Sequence, residues 1–406
     1  MKQQACAGIS RVLIAIVIGG MMTIGATAQT EKILYSFTGG SDGGAPQGGL
    51  VLDGKGNLYG TTQQGGSNSG GTVFELTPNS NGTWTEQVLY SFTGLSGNSD
   101  GAFPYGSLVF DSKGNLYGTT VFGGTSFQGT VFELSPGTNG TWTENILYNF
   151  TGGADGGAPY GPGLSIDRAG NLYGTTNTGG SNGFGVVFEV VAGSNGNWTE
   201  KVLHAFTGGD DGSYPFDGPL LVDNTGSVYG NTSQGGTHDY GVVFKMTPNA
   251  NGTWTEKVLY AFKNTDGTTS PIGALAFDTH GNIYGTAYDA FELSPGSNGS
   301  WTEKPLHLFA GGSDGADPES GLVIDAAGNL YGTTNTGGKH RGTVFELFPG
   351  SNGNWTERIL HRFSPAGGDG IFPYIVNLII DGSGHLYGTT SGGGSSGFGV
   401  VYEVTP

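Results

Sequence analysis

The feature of this sequence that most constrains its fold is a phrase repeated seven times, Asp-x-x-Gly-Asn-Leu-Tyr-Gly-Thr-Thr in its clearest form. Its tyrosine recurs at intervals of 47 to 58 residues, at Tyr59, Tyr117, Tyr173, Tyr229, Tyr284, Tyr331 and Tyr387. Repeats of this length are single supersecondary units that bury their apolar faces against their neighbours. The architecture must therefore consist of seven similar units packed in series.

Within one repeat, four short runs rich in apolar and β-branched residues alternate with turn residues. In the second repeat these runs are 108–111, 116–120, 130–134 and 142–150. Every run has the length of a strand, and none has helical periodicity. Four antiparallel strands of this size form one blade of a β-propeller. The sequence thus predicts an all-β fold, a seven-bladed β-propeller of four-stranded antiparallel blades.

The last repeat lacks a fourth strand, and the other end of the chain supplies one. Residues 31–37, Glu-Lys-Ile-Leu-Tyr-Ser-Phe, match residues 256–262 in the fourth strand of another repeat. We expect 31–37 to join the last blade and close the ring, because closure removes exposed sheet edges. The alternative is an open solenoid whose end strands are unpaired.

The first 28 residues have the features of a secretory signal peptide. Lys2 and Arg11 precede or border an apolar centre, and a small-residue cleavage motif ends at Ala28. We expect residues 29–406 to be the mature protein, a single propeller domain without a membrane span. It would be secreted, periplasmic or attached to the bacterial cell surface. A retained membrane anchor is the alternative, although the apolar run is short for a bilayer.

Charge and cysteine content exclude several classes of function. Without its first 28 residues the chain has 13 basic against 33 acidic residues, and hence a formal charge of −20. An acidic surface repels phosphate backbones, so we expect no nucleic-acid binding. The only cysteine, Cys6, lies in the predicted signal segment. The mature chain therefore has neither disulfides nor cysteine-ligated metal.

Loop lengths separate two faces of the predicted ring. The first-to-second and third-to-fourth connections keep one length, whereas the second-to-third and blade-to-blade connections vary. In the fifth repeat, for example, Phe291 follows Tyr284 by seven residues, against fifteen in most repeats. In an antiparallel four-stranded blade, the two variable connections emerge on the same side. Loops carry function on rigid scaffolds, so we expect a ligand to bind on this side.

Two sets of residues in the blade-to-blade loops are candidates for ligand contact. An Asp-Gly pair lies in each loop, and an aromatic residue follows a nearby proline in several of them. The predicted binding residues are Asp100, Asp155, Asp211, Asp369, Tyr105, Tyr160, Phe216 and Tyr374. Aromatic platforms beside acids suit an extracellular glycan, a protein or a peptide. Structural alternatives stay open, because Asp-Gly is a turn signal and aromatic rings also cover glycine-rich loops.

The sequence predicts no bound metal or other cofactor. Ca²⁺ on the ring of aspartates is the alternative, because Ca²⁺ prefers oxygen ligands. Catalytic candidates are scarce. His340, between Lys339 and Arg341, forms the only basic cluster in a variable loop and is the weak candidate for a general base. We therefore expect a monomeric binding module, with a carbohydrate-active or lactone-opening lyase as the alternative.

The repeat unit resembles a known family. Gly-x-Leu-x-x-Asp-x-x-Gly-Asn-Leu-Tyr-Gly-Thr-Thr, followed by Gly-Thr-Val-Phe-Glu-Leu and Trp-Thr-Glu, looks like the GloVer tandem-repeat family of exported bacterial proteins. Residues 106–144 are a clear instance, and the resemblance covers essentially all of the mature chain. It implies export and a repeat β-fold, and it implies no known activity. The Asp-x-x-Gly-Asn-Leu-Tyr hairpin alone is also similar to that of propeller lyases that open macrocyclic lactones.

Overall fold

Seven four-stranded antiparallel sheets form the blades of a ring. The computed structural model describes residues 30–96, 100–161, 163–215, 218–263, 270–374 and 377–406. These ranges contain no α-helix. The predicted seven-bladed β-propeller is confirmed. The predicted signal peptide lies outside the described residues.

Each blade runs from an inner first strand to an outer fourth strand. The first strands are Val51–Leu52, Val109–Phe110, Ser165–Ile166, Leu221–Val222, Ile272–Phe277, Val323–Ile324 and Ile379–Ile380. The second strands are Leu58–Thr62, Leu116–Phe122, Leu172–Thr176, Val228–Thr232, Ile283–Thr286, Leu330–Thr334 and Leu386–Thr390. The third strands are Thr72–Pro78, Thr130–Pro136, Val186–Ala192, Val242–Pro248, Asp289–Pro295, Thr343–Pro349 and Val400–Thr405. The fourth strands are Trp84–Ser91, Trp142–Asn149, Trp198–Ala205, Trp254–Ala261, Trp301–Leu308, Trp355–Arg362 and Thr30–Ser36.

A few short elements lie outside this scheme. Ala102–Pro104 pairs with the second strand of the second blade, and Gly370–Ile371 pairs with Gly392–Gly393. Two 3₁₀ turns span Gly94–Ser96 and Thr138–Gly140. We number the blades 1 to 7 in the order of their first strands.

The repeated Leu-Tyr-Gly-Thr-Thr motif has a packing reason. Its residues form the second strand, which is buried along its length in blades such as blade 1. In blade 2, Gly118 pairs with Phe132 of the third strand. A Cβ atom on Gly118 would lie 2.6 Å from the Phe132 ring, so only glycine leaves room for the phenylalanine. The glycine of the motif is therefore required for a cross-strand contact that recurs from blade to blade.

The hydrophobic core lies between blades rather than inside any one of them. Phe150 follows the outer strand of blade 2 and packs edge-on against Phe188 of blade 3, with ring centroids 5.1 Å apart. Leu164 and Val186 of blade 3 belong to the same buried cluster. Each large apolar side chain buried in this way stabilises the fold by about 2–3 kcal/mol. Because these side chains pack between successive blades, the ring is most stable when apolar side chains are buried at every junction.

The two ends of the chain close the ring in blade 7. Thr30–Ser36 pairs antiparallel with Val400–Thr405, and Ser36 lies opposite Val400. Phe37 follows this strand, is fully buried, and packs against Phe74 of blade 1 at 5.1 Å. The predicted closure is confirmed, with the strand one residue earlier than the predicted 31–37. An open solenoid is excluded by this pairing.

The two faces of the ring have different kinds of connection. The constant face carries the first-to-second and third-to-fourth turns, such as 53–57 and 79–83. The variable face carries the blade-to-blade and second-to-third loops, such as 37–50 and 63–71. On the constant face, the Asp111 carboxylate accepts hydrogen bonds from the amides of Lys113 at 2.8 Å and Asn115 at 2.9 Å. An aspartate that fixes both ends of a turn explains why the turn length does not vary.

Candidate functional site

The aspartates of the Asp-Gly pairs hold the blade-to-blade loops against the outer strands. Asp100 accepts hydrogen bonds from the Tyr90 hydroxyl at 2.9 Å and from the Thr93 amide at 3.0 Å. An equivalent backbone amide donates to each described aspartate of this set, namely Asp42, Asp100, Asp155, Asp211, Asp314 and Asp369. The partners lie at the end of the fourth strand, so these carboxylates sit at the periphery of the ring.

The residue before the proline in each blade-to-blade loop has a left-handed backbone. Its φ lies between +48° and +58° at Ala45, Phe103, Ala158, Tyr214, Ser270, Asp317 and Phe372. At Ala158 this conformation lets the amide donate to Gln128 O of the preceding blade at 2.8 Å. The next residue, Pro159, packs closely against Gly129, whose φ is +91°. A Cβ atom added to Gly129 would lie 2.7 Å from Pro159 Cδ. The strained residue and its proline thus join one variable loop to the next.

Strained backbone collects on the variable face. Of the twelve non-glycine residues with positive φ in the described ranges, eleven lie in variable-face loops, and Asn139 alone lies in a constant-face turn. The four besides the pre-proline residues are Ser69, Phe127, Asp239 and His340. A left-handed non-glycine residue costs on the order of 1–2 kcal/mol, and such strain tends to persist at functional surfaces.

Three of the predicted aromatic residues meet at the centre of the variable face. Tyr105 is buried, and its ring centroid lies 4.6 Å from that of Tyr160. Tyr374 and Tyr160 are half-buried and pack against the same cluster, which also contains Val121. These tyrosines enter blades 2, 3 and 7, which can meet only near the axis of the ring. Phe216 lies outside the described residues. The central tyrosine cluster is therefore Tyr105, Tyr160 and Tyr374.

Exposed apolar side chains also favour this face. The described residues include six large apolar side chains that are strongly exposed, and four of them lie in variable-face loops. These four are Leu95, Phe127, Tyr288 and Phe398, with Phe127 and Tyr288 each 59 % exposed. The other two, Phe122 and Leu308, are the last residues of strands that lead into such loops. Isolated exposed apolar residues are ordinary, but their concentration on one face is a mark of an interaction surface.

The basic cluster around His340 is open to solvent. His340 and Lys339 are exposed, and His340 has a left-handed φ of +71°. Arg341 is directed elsewhere, over the Phe372 ring at 5.0 Å. No hydrogen bond or ion pair among the described residues orients the His340 imidazole. His340 lies in the second-to-third loop of blade 6, whereas the three tyrosines lie in the blade-to-blade loops that enter blades 2, 3 and 7.

The concave parts of the ring are its channel and the clefts of the constant face. A cavity of about 390 Å³ in the channel is lined by first-strand residues such as Val51, Val109 and Leu221. A larger cleft of about 600 Å³ lies between the constant-face turns of blades 1 and 2. Its wall includes Tyr59, whose hydroxyl donates to Glu75 at 2.8 Å. Burial and the Glu75 carboxylate raise the pKa of Tyr59 strongly, so its phenol stays protonated.

Sequence reasoning missed a set of carboxyl pairs between adjacent blades. Where both residues are described, the glutamate of a Trp-Thr-Glu motif faces the Asp-Gly aspartate of the preceding loop. Burial, followed by the negative charge of Asp42, raises the pKa of Glu86 to about 7. Burial likewise raises the pKa to about 7 in Glu144, Glu200 and Glu256, each beside its own aspartate. The sequence signal that could have found them is a glutamate that recurs at the same fourth-strand position of the Trp-Thr-Glu motifs. The residues on either side of it are exposed.

No helix among the described residues is long and apolar enough to cross a membrane.

Comparisons with known proteins give a repeat family and a distant structural neighbour. The model of the Gloeobacter/Verrucomicrobia repeat matches residues 17–163 and 87–297, together more than half of the chain. No curated protein matches the sequence significantly. The fold is similar to that of a Thermus thermophilus protein described as a putative oxidoreductase (glucose dehydrogenase). The TM-score is 0.45, with 12 % identity over 93 % of this chain and 100 % of that one. A likeness this distant carries no information about activity.

Proposed function

Since the chain belongs to the Gloeobacter/Verrucomicrobia repeat family, whose repeats here build a closed ring, we propose that it is an exported, monomeric binding module. Its variable face would contact the ligand, and its constant face would keep the blades in register. The observation that carries the proposal is the concentration of exposed apolar side chains on the variable face. Four of the six such residues in the described ranges lie in its loops, and the other two end strands that lead into those loops.

The central tyrosine cluster gives the proposed surface a fixed centre. Tyr105 is buried, and Tyr160 and Tyr374 pack against the same cluster and are half-buried. Rigid aromatic rings provide contact area at a low cost in conformational entropy. Phe127 and Tyr288 would extend the surface outwards over blades 2 and 5. The aspartates at the periphery are engaged by their own loops, and we assign them the role of holding those loops.

The chemistry of this face suits an extracellular glycan or a peptide. Aromatic rings stack on the apolar faces of sugars and on apolar side chains, and neighbouring polar loop groups provide hydrogen bonds. The acidic chain, at −18 for the full sequence, disfavours polyanions such as nucleic acids. Export follows from the predicted signal peptide and from the resemblance to exported proteins. The lyase alternative has no support from geometry, because no described residue orients His340.

A glycan and peptide array probed with the purified mature protein tests the proposal. Binding should be lost or reduced at least tenfold in the double variant Tyr160→Ala, Tyr374→Ala, which removes the two half-buried rings of the cluster. The matched control is Lys55→Ala, Lys113→Ala, which changes two exposed residues of the constant face and should bind normally. Retained binding in the tyrosine variant, with loss in the lysine variant, would move the site to the constant face. Turnover of an array hit that disappears in His340→Ala would replace the binding module with an enzyme.

A further inference from the structure

Two junctions between blades bring a histidine and two carboxylates together. At one position of the fourth strand most blades have tyrosine, but blades 3, 5 and 6 have histidine, namely His204, His307 and His361. The 5–6 site consists of His307, Asp314 and Glu357. The 6–7 site consists of His361, Asp369 and Glu31. In each site, one nitrogen and two carboxylate oxygens lie within 4.8 Å of one another.

The distances in the 5–6 site lie on either side of the separation between ligands of a tetrahedral metal ion. His307 Nε2 lies 3.2 Å from Asp314 Oδ1 and 3.9 Å from Glu357 Oε1. Metal–ligand bonds of 2.0–2.2 Å at tetrahedral angles separate ligand atoms by about 3.3–3.6 Å. In the 6–7 site, His361 Nε2 lies 3.1 Å from Asp369 Oδ2. A small movement of these side chains would place an ion among all three ligands.

One ligand atom in each site has no partner of its own. Glu357 Oε1 and Glu31 Oε1 are shielded from solvent and accept no hydrogen bond from any described residue. The Glu357 side chain is only 12 % exposed and faces a second carboxylate. A shielded carboxylate oxygen without a donor is unfavourable, and protonation or a bound cation can satisfy it. The same oxygen lacks a donor in Glu86 and Glu144, where tyrosine takes the place of the histidine, so the histidine is what distinguishes these two sites.

The other ligands of the 5–6 site are supported from behind and can be reached from solvent. The His307 ring packs edge-on against Phe309, with centroids 4.7 Å apart, and Asp314 Oδ2 accepts a hydrogen bond from the Ala310 amide at 2.6 Å. Such contacts orient ligands before an ion arrives. The His307 and Asp314 side chains are 21 % and 24 % exposed, which leaves an entry path.

We propose that the 5–6 and 6–7 sites each bind one Zn²⁺ ion, or a similar divalent transition metal, through the histidine Nε2 and one oxygen of each carboxylate. An imidazole ligand favours Zn²⁺ over Ca²⁺, and the two carboxylates balance the charge of the bound ion. The 5–6 ion would link two blades. The 6–7 ion would link Glu31, in the strand that closes the ring, to blade 6. Metal binding would therefore reinforce the closure.

Zn²⁺ titration of the chelator-treated mature protein against a chromophoric competitor tests the proposal. We expect two ions per chain with a Kd of about 10 µM or tighter, and a higher melting temperature when Zn²⁺ is added. Co²⁺ should give the visible absorption of tetrahedral coordination. The variant His307→Tyr, His361→Tyr should bind neither ion, although it folds, because tyrosine occupies this position in other blades.

A matched control uses the third histidine. His204 bonds Asp211 at 3.0 Å, but no second carboxylate of the described residues completes a cluster within 4.8 Å, so His204→Tyr should leave the stoichiometry at two. The variant Glu31→Gln, Glu357→Gln keeps both histidines and should also lose the two ions, which guards against misfolding of the tyrosine variant. Absence of saturable Zn²⁺ binding, or binding unchanged in both double variants, would overturn the proposal. Ca²⁺ binding as tight as that of Zn²⁺ would overturn the role of the histidines.

Discussion

Replacing Glu86 with glutamine should stabilise the protein at alkaline pH. Glu86 faces Asp42 across the junction of blades 7 and 1, and its shielded Oε1 accepts no hydrogen bond from any described residue. Asp42 already accepts hydrogen bonds from the Thr38 amide at 2.8 Å and the Tyr35 hydroxyl at 3.1 Å. The Glu86 and Asp42 carboxylates therefore face each other, and only the Asp42 carboxylate accepts hydrogen bonds. A glutamine amide would copy the shape of the protonated glutamate and donate to Asp42.

The raised pKa of Glu86 sets the size and the sign of the effect. The pKa is 4.5 in the reference state and about 7 in the folded protein. The folded state therefore binds the proton more tightly, so the contribution of Glu86 to stability is fully present below pH 4.5 and is lost as the pH rises through 7. At about 1.4 kcal/mol per pKa unit, the full shift corresponds to roughly 3 kcal/mol. Partial contact with solvent reduces this to on the order of 1–2 kcal/mol.

Urea unfolding at about pH 5 and about pH 8, at one ionic strength, measures this difference. Glu86→Gln should be more stable than the wild type by about 1–2 kcal/mol at the higher pH and nearly equal to it at the lower pH. Glu144→Gln should behave in the same way. The control is Glu133→Gln, since Glu133 accepts a hydrogen bond from Tyr117 at 3.0 Å and should show no gain. A Glu86→Gln gain that is absent at the higher pH, or equal at both pH values, would refute the reasoning.

Three further predictions concern the turns, the closure and the strained loops. Asp111→Ala should lower the free energy of unfolding by about 2–3 kcal/mol, because turn amides lose a charged acceptor, while Ser112→Ala should be nearly neutral in the same urea assay. Phe37→Ala should cost about 3–5 kcal/mol, as much as Phe150→Ala in a contiguous blade, and a negligible cost would mean that the closing strand is not docked. Ala158→Gly should raise the melting temperature by relieving a left-handed residue, with a gain of about 0.5–1 kcal/mol; a loss would show that the conformation is not strained.

The fold could be predicted from the sequence because the same pattern of residues occurs in every repeat. Seven copies of one spacing specify seven blades, and the match of 31–37 to other fourth strands specifies the closure. The strand proved to be Thr30–Ser36 because strand ends depend on pairing with the last strand rather than on the motif. The division into a constant and a variable face followed from loop lengths alone.

The site was predicted less completely, since it depends on residues from different repeats. The meeting of Tyr105 with Tyr160 and Tyr374 depends on how far each loop reaches towards the axis, which no local pattern encodes. The pairing of Glu86 with Asp42 was also missed. The two residues are 44 positions apart, and only the register between neighbouring blades brings them together. Burial then changes the chemistry of a glutamate that looks ordinary in the sequence.

The most direct test of the account is hydrogen exchange measured with and without the tightest ligand from the array. If the variable face is the binding surface, protection should appear in second-to-third loops such as 122–130 and 287–290, and around the tyrosines at 158–161. The constant-face turns at 53–57 and 111–115 should exchange unchanged. Protection confined to those turns would contradict the account.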